Sequence, residues 1–267
     1  MMRRAHSQTF VFPPDGRATA GPQPIATVPF ELPSGGAGGV YRLYVPTGLP
    51  PLTLDTLRAA ATEYSKLLSA TPVPALFGVN DGKTVGTYVE AAFNVHIATV
   101  FAHDQGNAAK GIDFPGLGVD LKVTSIKQPQ SSCPFRDARQ KVYGLGYHLL
   151  IFVYDKTDDA ELKAARLHIK HLVFIDSGYT ADFQTTTGIH RILDANGNVD
   201  DVDAFLQERN LPLDDIGRRT LAEQIMVERP PTGCLTISNA QQWRLQYGRA
   251  IVVASNGSSP GVHDLNA

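Results

Sequence analysis

The sequence predicts an α/β fold, a central sheet flanked by helices, and three observations predict it. Residues 53–68 place Leu57, Ala60, Ala61, Tyr64 and Leu68 at helical spacing, so one face of a helix is apolar. Residues 118–125 alternate instead, with Val119, Leu121 and Val123 on one face of a strand and Asp120, Lys122 and Thr124 on the other. Residues 147–154 are nearly continuously apolar, the pattern of a buried central strand. They follow a short basic stretch, 136–144, that reads as a helix closed by glycine.

Each further element follows from local chemistry. Residues 1–39 are rich in Pro, Gly and Ala, with Pro13-Pro14-Asp15-Gly16 and Gly35-Gly36-Ala37-Gly38-Gly39 marking turns, and predict an irregular arm. Val40–Val45 reads as a strand, and Thr53 or Asp55 as the cap of the first helix. Lys83–Phe93 has helical spacing with Val85, Val89 and Ala92 or Phe93 inward. Asn94–Ala102 reads either as the end of that helix or as a core strand. Further along, a helix is expected over 158–168, a strand over 171–176 and a flexible, hydroxyl-rich loop over 179–190. An acidic, turn-rich segment (194–203) then precedes a helix (214–228), a strand (233–238), a helix (239–247), a strand (249–254) and a tail.

Composition narrows the function classes. A chain of 267 residues, 43% of them apolar, buries a sizeable core. No apolar run approaches the ~20 residues that span a bilayer. The start, Met1-Met2-Arg3-Arg4, leads into no apolar segment, so a cytoplasmic protein without membrane association is expected. Two distant cysteines, Cys133 and Cys234, argue against a disulfide framework and a structural zinc site. A net charge of −2 argues against a sequence-blind DNA coat. Locally, however, Lys122, Lys127, Arg136, Arg139 and Lys141 face the single acid Asp137 between Leu121 and Leu150, and a phosphate backbone would be drawn there.

The chemistry concentrates in Gly111–Ser125. Asp120 and Lys122 share a strand face, and Pro115, Gly116 and Gly118 let the chain fold back so that Asp113 joins them. Two carboxylates and an ammonium suit phosphodiester hydrolysis with Mg²⁺, a hard cation that takes one or two protein carboxylates and leaves room for phosphate. Asp-x-Lys alone is more often a solvated strand face. Glu90, on the preceding helix, is a candidate fourth group, or else an ordinary exposed acid. A rival reading takes Gly78-Val79-Asn80-Asp81-Gly82-Lys83-Thr84 as a phosphate loop and Leu149–Asp155 as its partner strand, although three residues stand between the glycines where a Walker loop has four. His168 and His171 lack companions at ligand spacing, and Asp194–Asp203 fails the calcium-loop pattern because Phe205 stands where a bidentate Glu is needed.

With these residues in place, Asp113-Phe114-Pro115-Gly116-Leu117-Gly118-Val119-Asp120-Leu121-Lys122, preceded by Gly82-Lys83-Thr84-Val85-Gly86-Thr87-Tyr88-Val89-Glu90, resembles the PD-(D/E)XK restriction-like nucleases, and most closely the MutH-type branch. The resemblance covers about 81–155 and departs from the branch at Asp120, where Glu is usual. It implies a restriction-endonuclease-like core with a mixed central sheet, expected over 40–255; the N-terminal arm (1–39) and everything after about 176 lie outside the resemblance, with recognition elements expected over about 177–255 and a tail over 256–267. It also implies Asp113 and Asp120 as Mg²⁺ ligands, Lys122 as the residue activating water or neutralising phosphate, and Glu90 as the accessory acid. Lys83, Lys127, Arg136, Arg139, Lys141, Thr185 and Thr186 are the expected DNA contacts. The expected function is a Type II restriction enzyme acting on duplex DNA as a homodimer; a mismatch-repair-type strand-nicking endonuclease and the nucleotide hydrolase are the alternatives.

Overall fold

The computed structural model describes residues 48–103, 111–133, 137–238 and 243–266; the predicted arm, the 40–45 strand and Arg136 lie outside them. Helix α1 (Leu54–Ala70) starts at Thr53, whose hydroxyl accepts from the Thr56 N–H while Thr56 reaches back to the Thr53 N–H, a reciprocal cap. Helix α2 (Gly82–Val100) runs on through the segment that read as helix end or strand. Four strands, β1 (Val119–Ser125), β3 (His148–Asp159), β4 (Ala164–Ile175) and β7 (Val262–Asp264), form a sheet in the order β1-β3-β4-β7. β1 and β3 are parallel and the other pairs antiparallel, so the sheet is mixed, with β1 at one edge.

Alternation along the strands sorts their side chains into two cores. Val119, Leu121, Leu150, Phe152 and Phe174 pack under α1 and α2 with Leu57, Tyr64, Val89 and Phe93. On the other face, Leu149, Ile151, Val153 and Ile175 pack against a second, three-stranded sheet and helix α7 (Gly248–Ser255). That sheet has the order β2-β6-β5, from β2 (Gln130–Cys133), β5 (Thr236–Ile237) and β6 (Trp243–Gln246). A third cluster joins the short α3 (Gln140–Tyr143) to α4 (Phe183–Asp194), α5 (Val199–Glu208) and α6 (Asp215–Val227) through Val142, Ile189, Val202, Leu206 and Ile225.

Several expectations are corrected. Residues 158–168 are not a helix: they are the end of β3, a turn over 160–163 and the start of β4, with Lys163 in the left-handed region at φ +48°. The hydroxyl-rich segment is the helix α4, because the Asp182 carboxylate caps it from the Thr185 N–H at 2.8 Å. The acidic segment leads into α5, capped by Asn198. Residues 243–246 are strand and 248–255 helix, the reverse of the expected order. The supposed tail supplies β7, whose residues pair with Val173–Ile175.

Candidate active site

The loop before β1 folds back on itself as its prolines and glycines require. Phe114 and Val119 exchange backbone hydrogen bonds at 2.9 and 3.2 Å, and Gly118 takes φ +61°, a conformation that glycine adopts without strain. The return brings Asp113 beside the strand, where its Oδ2 accepts the Leu121 N–H at 2.7 Å. That N–H lies on the outer edge of β1, where among the described residues no strand of the sheet pairs and only the Phe114–Val119 bridge lies alongside.

Asp120 and Lys122 share a face, as the alternation requires, and the Lys122 Nζ lies 2.8 Å from Asp120 Oδ2. Asp120 is 4% exposed, and its carboxyl is within hydrogen-bonding reach of Asp113. Burial pushes the Asp120 pKa up to about 7; Lys122 opposes this and the Asp113 carboxylate adds to it. Burial pulls the Lys122 ammonium down, but the charges of Asp120, Asp113 and Glu90 overcome it, and its pKa is raised. Glu90, on α2, is raised by burial and by Asp113, while Lys122 pulls it down. All four predicted site residues therefore share one electrostatic neighbourhood, assembled from the loop, the edge strand and the helix beside it.

Beneath this group lie residues that sequence reasoning missed. The Tyr247 hydroxyl, fully buried, meets the Ser131 hydroxyl at 2.5 Å, and Tyr147 meets the Cys133 thiol at 3.8 Å. Burial raises both phenol pKa values, and the Asp120 charge raises them further, which places both rings near that carboxylate. Only the alternation in 243–247, which points Trp243, Leu245 and Tyr247 one way, offered a signal for this layer.

The expected DNA contacts divide. Lys83 is exposed at the first turn of α2, two helical turns from Glu90 and on its side. Lys127, in the β1–β2 turn, and Arg139, beside the Tyr143 ring, are also exposed. Lys141 is not: it is 1% exposed, 5.4 Å above the Trp243 ring, with burial lowering its pKa against the pull of Asp182. Thr185 and Thr186 are fully buried and bonded to Asp182 and Phe183, so they present no hydroxyl to a ligand. The phosphate-loop expectation is corrected as well. The Asp81 carboxylate accepts the Lys83 and Thr84 N–H groups at 3.2 and 2.9 Å, so an acid occupies the donors a phosphate would need.

A family model for the Type II restriction enzyme NspV matches residues 51–264. The chain belongs to this family. The Type II restriction enzyme NspV of Nostoc sp. is 54% identical over 200 residues, 75% of this chain and 91% of that protein. No solved structure matches the chain. The NspV match runs from just before α1 to the last residue of β7, so it takes in the Asp113 loop, β1, the three-stranded sheet and the helical cluster. Among the described residues, no helix is long and apolar enough to cross a membrane.

Proposed function

We propose that this chain hydrolyses phosphodiester bonds in duplex DNA at a specific sequence, with Mg²⁺ held by Asp113 and Asp120. The observation that carries the reading is the meeting of these two carboxyl groups with the Lys122 ammonium at the outer edge of β1, in a chain of the NspV family. The donor set fits a hard divalent cation. Two oxygen ligands stand side by side, and Asp120, with only Lys122 to offset it, is held near neutrality, a condition that a cation between the carboxylates relieves. Bound there, Mg²⁺ supplies Lewis acidity and lowers the pKa of water.

The protein's own groups have separate tasks. Asp113 and Asp120 hold the ion. Lys122 neutralises charge growing on the scissile phosphate and orients the attacking water. Glu90, close to Asp113 and Lys122, accepts a hydrogen bond from water entering the site. The loop, the edge strand and the helical acid together support placing the chain in the PD-(D/E)XK superfamily, in its MutH-type branch. One such site cuts one strand, so a double-strand break calls for a symmetric homodimer on a palindromic target.

The test is digestion of unmethylated plasmid and phage DNA with Mg²⁺. Native protein is expected to give discrete linear fragments, and Lys122→Ala, Asp120→Asn and an EDTA control at least 100-fold less product, of order 3 kcal/mol of lost barrier reduction. Lys83→Ala is expected to weaken DNA binding and to leave chemistry in place. Cleavage indifferent to Lys122, or nicked circles alone, would sink the site assignment or the dimer, respectively.

A further inference from the structure

The three-stranded sheet has two faces of opposite character. Inward, Cys133, Trp243, Leu245 and Ile237 join the core against β3. Outward, the register sets Gln130 opposite Gln246 and Gln246 opposite Thr236 in one row. In the next row Ser132 stands opposite Arg244, and Arg244 exchanges hydrogen bonds with Ser238 at 3.0 and 3.1 Å. Ser132, Arg244 and Gln246 are exposed, and Gln130, Thr236 and Ser238 are half-buried. Amides, hydroxyls and one guanidinium make up these rows, with no carboxylate, and Arg244 pairs with no acid among the described residues. An ordinary solvated strand face mixes lysines with glutamates; this one is a bed of donors and acceptors with one positive charge.

The sheet is tied to the candidate active site. β2 leaves β1 by a short turn that carries the exposed Lys127, and the Thr124 hydroxyl of β1 bonds to the Gln130 N–H at 3.0 Å. Below, Ser131 holds the Tyr247 hydroxyl, whose ring feels the Asp120 charge. A ligand seated on the outer face is therefore held at a fixed offset from the carboxylates.

We infer that the outer face of β2-β6-β5 reads base edges in the major groove of the DNA target, with Arg244 engaging a G·C pair and Gln246 an A·T pair. The inference rests on the endonuclease reading above. A two-stranded antiparallel ribbon fits the major groove, and β2 and β6 form one, with β5 adding only two residues at its side; Arg bonds bidentately to guanine O6 and N7, and Gln to adenine N6 and N7. Strands about 4.8 Å apart and alternate residues about 6.8 Å apart make the two rows about 10 by 7 Å. That area covers about two to three base pairs at roughly 3.4 Å rise. Lys127, at the rim, meets phosphate.

The experiment begins with the native enzyme. Sequencing its fragment ends gives the site, and duplexes carrying that site, or each single base-pair change within it, are then cut by native protein, Arg244→Ala, Arg244→Lys and Gln246→Ala. Thermal melting checks that each variant is folded. Arg244→Ala is expected to cut the native site about 10- to 100-fold more slowly and to lose discrimination at one G·C pair; Gln246→Ala does the same at one A·T pair. Arg244→Lys is not expected to restore discrimination, because an ammonium cannot make the bidentate pair, although it would serve a phosphate contact equally well. Folded variants with native rate and native discrimination at every position would overturn the inference and leave the endonuclease reading intact. So would Arg244→Lys behaving as native. Native protein that cut no substrate would overturn both.

Discussion

At the scale of single residues, Asp120 couples stability to pH. Its carboxyl ionises near 3.8 when unfolded and at about 7 in the folded protein. Between those values the native state holds a proton that the unfolded state has lost, so stability falls as pH rises from about 4 to about 7. The shift of about 3 units corresponds to at most about 4 kcal/mol. Asp120→Asn removes this penalty and also deprives Lys122 of its nearest partner. Metal-free Asp120→Asn protein is therefore expected to be about 1–3 kcal/mol more stable than native at pH 8 and no more stable at pH 4, as read by urea denaturation. Millimolar Mg²⁺ should raise the melting temperature of the native protein and not that of the variant. Asp113, Asp120 and Lys122 were legible in the sequence because strand alternation and a proline-glycine turn act over a few residues. Tyr147 and Tyr247 were not: Tyr147 meets the site through the pairing of β3 with β1 and Tyr247 only once β6 and α7 pack beneath them, and no spacing rule links such distant positions.

At the scale of elements, tertiary packing overrode local pattern wherever the two competed. Residues 249–254 are a short apolar run that periodicity alone leaves ambiguous, and they coil into α7 because Ala250, Ile251, Val253 and Ala254 all find the core that way. Residues 160–168 include Ala, Glu, Leu, Lys and Arg, good helix formers. Pairing of β4 with β3 over its full length outweighs that preference. Helix α1 was readable outright; α2 was readable over residues 83–93 and β3 over 148–154, while the far end of each was left open or misread. Close packing between elements sets a further expectation. A Cβ at Gly233 would meet the Ala181 carbonyl oxygen at 2.1 Å, where backbone cannot yield cheaply. Gly233→Ala is thus expected to cost about 2–4 kcal/mol in urea denaturation, at the upper end of overpacking effects.

For the molecule as a whole, charge is distributed unevenly. On α4 to α6 and the segment that follows, Arg218 pairs with Asp203 and Asp215, Arg219 with Asp200 and Glu223, and Arg229 with Asp194. These arginines are already neutralised by acids of the same helical cluster, so they offer a phosphate backbone little uncompensated positive charge. The exposed Lys83 and Lys127 lie instead on the elements that build the candidate site. In DNA-binding titrations between about 50 and 200 mM salt, Lys127→Ala is expected to weaken binding to every sequence alike and to reduce the salt slope by about 1. Arg219→Ala should leave that slope unchanged.

The position of β1 carries a consequence of a different kind. A strand at the border of a sheet offers bare N–H groups to any other extended chain, and proteins commonly guard such borders with charge. Here the Asp113 carboxylate closes the Leu121 N–H and the Phe114 backbone closes Val119, so the returning loop itself covers that border. A foreign strand that approaches this border meets Asp113 at Leu121 and the Phe114 backbone at Val119 before it reaches a bare donor.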